Sequence, residues 1–208
     1  MKLLIVSDFH ERNIREVVPE LVLEKIDYIV SAGDYQVYPY PKPAVGVYGN
    51  HDELIEVFDK KTLINCHLKV VEVAGLTFLG VQGVFSPNPH KWYHNLEAAI
   101  QKTLQKQPKV NFFVTHERAT GIFDRMGSGS LAYRDYILRK QPDYYISGHV
   151  CSEGTMIRQG HTICLNPHPC GCQRYIILDV ESGELKFVDI TTTVENKPHV
   201  TTEKRQVK

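Results

Sequence analysis

The sequence predicts a globular α/β fold that closes with a β-rich segment. Three observations carry this. Short apolar runs alternate with amphipathic stretches over the first 150 residues or so. Five of those runs end at polar residues, three of them led by a glycine, as strands of an α/β sheet do. After residue 151 the pattern becomes alternating or continuously apolar segments with turns at Gly160 and Ser182-Gly183, which predicts antiparallel strands. A length of 208 residues suits one domain, read as 1–191, with a polar C-terminal tail over 192–208. Twenty-four basic and twenty-four acidic residues balance to zero, which argues against a general grip on nucleic acid or an anionic membrane. With 42% apolar and 23% charged residues, the chain has the composition of a packed domain.

Taken in order, residues 2–6 form an apolar run closed by Ser7-Asp8, as expected of a strand buried on both faces. Ile14, Val17, Val18 and Leu21 share one side of a helical stretch over 14–25, and Pro19 predicts a break inside it or a start at that point. Asp27–Ala32 and Ala44–Tyr48 are strands ended by Gly33 and Gly49, joined by a stiff connection through Pro39, Pro41 and Pro43. Glu53–Asp59 is helix-like, and Asp52 is expected as its cap ahead of the other reading, an orienter of His51. Val70–Val73 and Thr77–Val81 pair around Ala74-Gly75. Asn95 is the expected cap of a helix carrying Leu96, Ile100 and Leu104 and stopped by Pro108. Lys109–Val114 and Tyr144–Ser147 are strands, and Ser130 caps a helix running to Lys140. The segments 154–164, 173–180 and 184–191 supply the terminal strands.

The chemistry lies in the residues just past the strands. The first strand ends at Asp8-Phe-His10, the second at Gly33-Asp34 and the third at Gly49-Asn50-His51-Asp52. The strand over 109–114 ends at Thr115-His116, and that over 144–147 at Gly148-His149-Val-Cys151. Ligands of α/β sheets gather beyond the carboxyl ends of strands. Asp8, His10, Asp34, Asn50, His116, His149 and Cys151 offer carboxylate, imidazole, amide and thiol donors, more than the four that one tetrahedral ion needs. Such a set suits two ions about 3.5–4 Å apart that share a carboxylate. Its mixed oxygen and nitrogen donors favour manganese, zinc or iron over calcium or magnesium.

This motif series, including the four-residue Gly49-Asn50-His51-Asp52 block, resembles that of the calcineurin-like metallophosphoesterase superfamily over residues 8–151. The resemblance implies two stacked mixed β-sheets flanked by α-helices, a four-layer sandwich with a dinuclear site on the strand-end loops. It implies one ion on Asp8, His10 and Asp34, and a second on the shared Asp34 with Asn50, His116 and His149. His51 is then the proton donor or phosphate contact beside the metals. Two cations would make hydroxide from a bridging water near neutral pH, and that hydroxide would attack phosphorus in line. The family closes with Gly-His-x-His, whereas Cys151 stands here in place of the last histidine. Either its thiolate replaces imidazole on the first ion, or it is a small packed residue and that ion is one ligand short. Tyr35-Gln36 comes after Asp34, without the Asp-Arg pair of many protein-phosphatase members, which argues against protein substrates.

The expected function is a phosphatase or phosphodiesterase acting on a small or nucleotide-like phosphate ester. The rivals are a non-catalytic interaction scaffold on the same fold and a nuclease; no basic surface interleaved with aromatics supports the latter. A cytoplasmic location with reduced thiols is expected, because five cysteines accompany no export signal and no membrane-spanning run. Weaker readings concern Arg12 and Arg118, near the metal motifs but surface arginines by default, and Gly127-Ser128-Gly129-Ser130 as an anion-binding helix start. A structural zinc among the C-terminal cysteines and histidines is conceivable but off the usual spacing. Asn166-Pro-His168-Pro-Cys170 is expected as a loop on the rim of the site.

Overall fold

The computed structural model describes residues 1–37, 39–52, 63–123, 127, 129–151, 155–168, 173–190 and 200–204. Its strands in chain order are β1 (Lys2–Val6), β2 (Tyr28–Ser31), β3 (Ala44–Gly46), β4 (Leu63–Asn65), β5 (Val71–Val73) and β6 (Leu76–Val81). They continue with β7 (Val84–Phe85), β8 (His94–Asn95), β9 (Phe112–Thr115), β10 (Tyr144–Ser147), β11 (Met156–Gln159) and β12 (Thr162–Leu165). The last three are β13 (Gln173–Asp179), β14 (Glu184–Ile190) and β15 (Val200–Lys204). The helices are α1 (Ile14–Val17), α2 (Glu20–Leu23), α3 (Glu97–Gln105) and α4 (Leu131–Lys140).

Two mixed sheets dominate. One runs β15-β14-β13-β1-β2-β3-β4 and the other β11-β12-β10-β9-β6-β5. Alternation of side chains along each strand explains how they stack. Leu3 and Ile5 of β1 join Phe112 and Val114 of β9 and Ile146 of β10 in one buried cluster between the sheets. Leu4 and Val6 face the other way, onto Ile14 of α1 and Leu23 of α2. On the far side, Phe113 and Tyr145 pack against Ile100 and Leu104 of α3 and Tyr133, Tyr136 and Ile137 of α4. Both faces of β1, β9 and β10 are therefore dry, which is why their sequences read as unbroken apolar runs. The layers are helix, sheet, sheet, helix, as the resemblance implied.

Pro19 does break the first helical stretch: α1 stops before it, and α2 begins just after it. Ser130 caps α4 by accepting the Tyr133 N–H at 3.1 Å. Two expectations need correction. Asn95 is not the cap of α3, because it pairs in β8 and its side-chain amide donates to the Gln82 carbonyl at 2.6 Å. Leu96 takes the cap position with its side chain 47% exposed, off the buried stripe of Ile100 and Leu104. Part of the expected loose tail is ordered as well, since Val200–Lys204 pairs antiparallel with β14 and forms the sheet edge. The helix-like stretch Glu53–Asp59 lies outside the described residues.

Candidate metal centre

β1, β2 and β3 run parallel and level, with Val6 opposite Ser31 and Ser31 opposite Gly46. β9 and β10 are parallel in the other sheet, with Thr115 opposite Ser147. The carboxyl ends of both parallel groups open on the same edge of the sandwich. Three contacts stitch the chain together there. The His116 Nδ1–H donates to the Ala32 carbonyl at 2.8 Å, the His149 N–H donates to the Asp8 carboxylate at 3.0 Å, and the Gly148 N–H donates to the His116 carbonyl at 3.0 Å.

Six of the seven sequence-predicted ligands meet at this edge. Ligand atoms of Asp8, His10 and Asp34 lie within 4.8 Å of one another, as do those of Asp34, His116 and His149. Asp34 belongs to both groups. Asn50 joins the second, its Oδ1 standing 2.9 Å from His116 Nε2. The backbone is strained to achieve this: Asp8, His10, Asp34 and His149 have φ of 56°, 50°, 55° and 65°, half of the eight non-glycine residues at positive φ among those described. Left-handed non-glycine residues cluster where surrounding structure holds them for a purpose. Space is equally tight. A Cβ on Gly49 would overlap the Asp34 carboxylate, and one on Gly148 would overlap the Ser7 hydroxyl and crowd Asp8.

The buried His116 shows how the donor set fits cations. Both of its ring nitrogens face oxygen: Nδ1 the Ala32 carbonyl, Nε2 both Asn50 Oδ1 and, at 3.3 Å, Asp34 Oδ2. A neutral imidazole has one N–H, so one such contact lacks hydrogen unless a positive charge sits on or beside Nε2. Without a metal, that charge is a proton. Burial lowers the His116 pKa, but the Asp34 carboxylate, with Asp8 and the Ala32 carbonyl, overcomes it and holds the value at about 9. With Nδ1 fixed by a carbonyl, Nε2 is oriented as a metal ligand. The residues fit divalent ions.

Burial opposes ionisation of Asp8, yet the His168 ring, the His116 charge and the Ser7 hydroxyl bring its pKa down to about 2. Asp34 is likewise pushed up by burial but ends lowered by His116 and the His51 N–H. His149 is pushed down to about 4 by burial and by the neighbouring His116. Its ring centroid is 4.9 Å from that of His116, and its Nε2 lies 3.9 Å from Glu117 Oε2. His51 is exposed; its N–H donates to Asp34 Oδ1 at 2.8 Å, and its ring stands edge-on to His10 with centroids 5.3 Å apart.

Cys151 departs from its expected role. It is exposed and disulfide-bonded, so its sulfur has no thiolate to offer, and the expectation of reduced thiols does not hold for it. Cys66 and Cys164 are free and buried in the apolar clusters, which removes Cys164 from any structural zinc site. The expected anion site at the start of α4 is filled from within: Glu97 Oε1 accepts the Ser130 hydroxyl at 3.0 Å and the Ala132 N–H at 2.6 Å. Asp52 does something sequence reasoning missed. Its buried carboxylate accepts the N–H groups of Asp34, Tyr35 and Gly49 at 2.9, 3.0 and 2.6 Å, clamping the loops after β2 and β3 together. Beside the centre lies an open cleft of about 670 Å³, lined in part by Asp8, His10, Arg12, Gln36, His51 and His168. The described part of the expected rim loop reaches the site through His168, while Pro169 and Cys170 lie outside the described residues. Among the described residues, no helix is long and apolar enough to cross a membrane.

The chain belongs to the calcineurin-like phosphoesterase superfamily, whose domain matches residues 1–183. A comparison with curated proteins found no match. Among solved structures, TT1561 of Thermus thermophilus is similar with a TM-score of 0.61 at 14% identity, over 91% of this chain and 99% of that one. Vacuolar protein sorting 29 of Cryptosporidium parvum is similar with a TM-score of 0.57 at 10% identity, over 97% of this chain and 96% of that one. The Entamoeba histolytica Vps29, solved as a complex with zinc, gives 0.50 at 13% identity, over 98% of this chain and 99% of that one. At these identities the likeness is one of fold.

Proposed function

We propose that this protein is a metal-dependent phosphoesterase that hydrolyses a small or nucleotide-like phosphate ester with two divalent ions, of manganese, zinc or iron. The observation that carries the reading is the sharing of Asp34 between the two converging groups. One ion would be held by Asp8, His10 and Asp34, the other by Asp34, Asn50, His116 and His149. Bound ions would supply Lewis acidity toward water and toward the phosphoryl oxygens.

The chain's own residues do the rest. Asp8 and Asp34 are held ionised, so the centre stays anionic and keeps cations through the neutral range. The Ala32 carbonyl fixes the His116 tautomer, and the His149 N–H orients Asp8. His51 lines the cleft with an exposed ring, which supports its reading as the donor of a proton to the leaving oxygen. Arg12 lines the same cleft, where a guanidinium suits the remaining phosphate oxygens.

The test is hydrolysis of mono- and diester substrates by protein stripped with chelator and reloaded with Mn²⁺, Zn²⁺ or Mg²⁺. Activity is expected only after reloading, with Mn²⁺ better than Mg²⁺ because imidazole donors suit transition ions. Full activity after exhaustive chelation sinks the proposal. A polynucleotide in the same panel tests the nuclease alternative. A second reading, an interaction scaffold, draws on the fold likeness to vacuolar protein sorting 29. The six converging donors and the presence of His51 favour hydrolysis over it.

A further inference from the structure

We propose that His168 is the closing ligand of the first ion, in the role that the Cys151 position fails to fill. The inference rests on the two-ion reading above and concerns how that site is completed. Asp8, His10 and Asp34 are three protein donors, one fewer than the second ion would have in Asp34, Asn50, His116 and His149. Cys151 is tied up in a disulfide. His168 comes from a different loop, the one leaving β12, and reaches the same cleft as Asp8, His10 and His51.

Its placement is built rather than incidental. Asn166 is fully buried, and its side-chain oxygen accepts the His168 N–H at 2.7 Å. The Asn166 amide also donates to the Val150 carbonyl at 3.5 Å, on the segment that carries His149 and Cys151. One buried side chain thus ties the His168 loop to the strand end where the family's last ligand belongs. The His168 Nδ1 is itself a buried atom with no hydrogen-bond partner among the described residues. It lies 3.6 Å from Asp8 Oδ2, too far for a hydrogen bond. Two ligand atoms each about 2.1 Å from one ion, at tetrahedral angles, stand about 3.4 Å apart. The separation therefore suits two donors facing a common cation. His168 is not within the three-residue group that already converges, so closure needs its ring to swing toward His10 and Asp34, and its side chain is 29% exposed.

The experiment counts ions and identifies their ligands without relying on turnover. Wild type, His168→Ala, Cys151→Ser and Asp34→Asn are stripped, titrated with Co²⁺, and analysed for bound metal and for hyperfine-shifted imidazole N–H resonances. Circular dichroism checks that each variant is folded. Wild type is expected to bind two ions and to show four shifted histidines, those of His10, His116, His149 and His168. His168→Ala should lose one histidine signal and bind the first ion about 10–100-fold more weakly, while the second ion is unchanged. Cys151→Ser should match wild type, with or without reductant. Three shifted histidines in the wild type, or unchanged affinity in His168→Ala, overturns the assignment while leaving the two-ion reading intact. Selective loss of the first ion in Cys151→Ser but not in His168→Ala assigns the site to sulfur and also overturns it. Failure of the wild type to bind two ions, with Asp34→Asn no different, removes the two-ion reading itself and the inference with it.

Discussion

At the scale of single residues, the decisive contrast is between Asp34, which faces both groups of donors, and Asp8, which faces one. A carboxylate shared by two cations offsets both charges and sets their spacing. Asp34→Asn should therefore drop metal content toward one ion or none and cost more activity than Asp8→Asn. Two tightly held ions in Asp34→Asn, measured by elemental analysis, would show the bridge to be misassigned. His51→Ala should keep both ions, because its ring belongs to neither group, and should lose turnover by about 10²–10⁴-fold. The loss should be smaller on a nitrophenyl ester, whose leaving group needs little protonation; equal losses on activated and unactivated esters would remove proton donation as its role. Asp8, His10, Asp34, Asn50, His116 and His149 were legible in the sequence because each lies just past a strand, where an α/β sheet gathers its ligands. His168 was legible only as a rim residue. It sits in a proline-flanked loop at no motif position, and nothing local tells which strand end that loop approaches. Cys151 misled for a related reason: its position in the motif is that of a ligand, but a disulfide depends on a partner that linear spacing does not identify.

Elements were legible to the extent that burial on two faces marks them. β1 and β10 match their expected spans, and β2 and β9 differ by at most a few residues, since their apolar runs are bounded by polar ends. Pairings that rest on few contacts left no such mark: β4, β7, β8 and β15 are short or edge strands, and the Asn95 cap was misread because β8 recruits that residue. Strand order was hidden as well. Nothing local places β13 beside β1 across more than 170 residues of chain. The loops after β2 and β3 depend on one carboxylate, that of Asp52, which is only 3% exposed. Removing it strands three amide donors in the interior. Asp52→Ala should cost about 3 kcal/mol of stability, since unsatisfied buried donors cost about 1–3 kcal/mol each and solvent relieves part of that. Asp52→Asn, which keeps acceptor oxygen but no charge, should cost less. Chemical denaturation of the metal-free protein measures this without interference from the centre; a loss below about 1 kcal/mol in Asp52→Ala would show that the clamp is not what holds the loops.

For the molecule as a whole, the centre is also the seam between two sheets, so charge at that seam should couple to folding. In the metal-free protein His116 is held at about 9 by Asp34, above its ordinary 6.5. A raised histidine pKa stabilises fully below pH 6.5, and the contribution is lost as pH climbs through about 9. Asp8 and Asp34 are lowered and stay ionised throughout this window, and His149, at about 4, stays neutral in it. His116 is thus the group at the seam whose titration moves stability between those limits. The metal-free fold should lose on the order of 3 kcal/mol from pH 6.5 to 9, or about 6–12 °C in melting temperature for a domain of this size. Metal binding has the opposite dependence, because an ion at Nε2 must displace that proton and is favoured as pH rises. Saturating Mn²⁺ should therefore flatten the pH profile, and the stabilisation it confers should grow from pH 6.5 to 9. Thermal unfolding with chelator and with Mn²⁺, across that range, measures both curves, and His116→Gln should flatten the metal-free one. A metal-free melting temperature constant over the window would mean that the proton on His116 does not bridge the sheets.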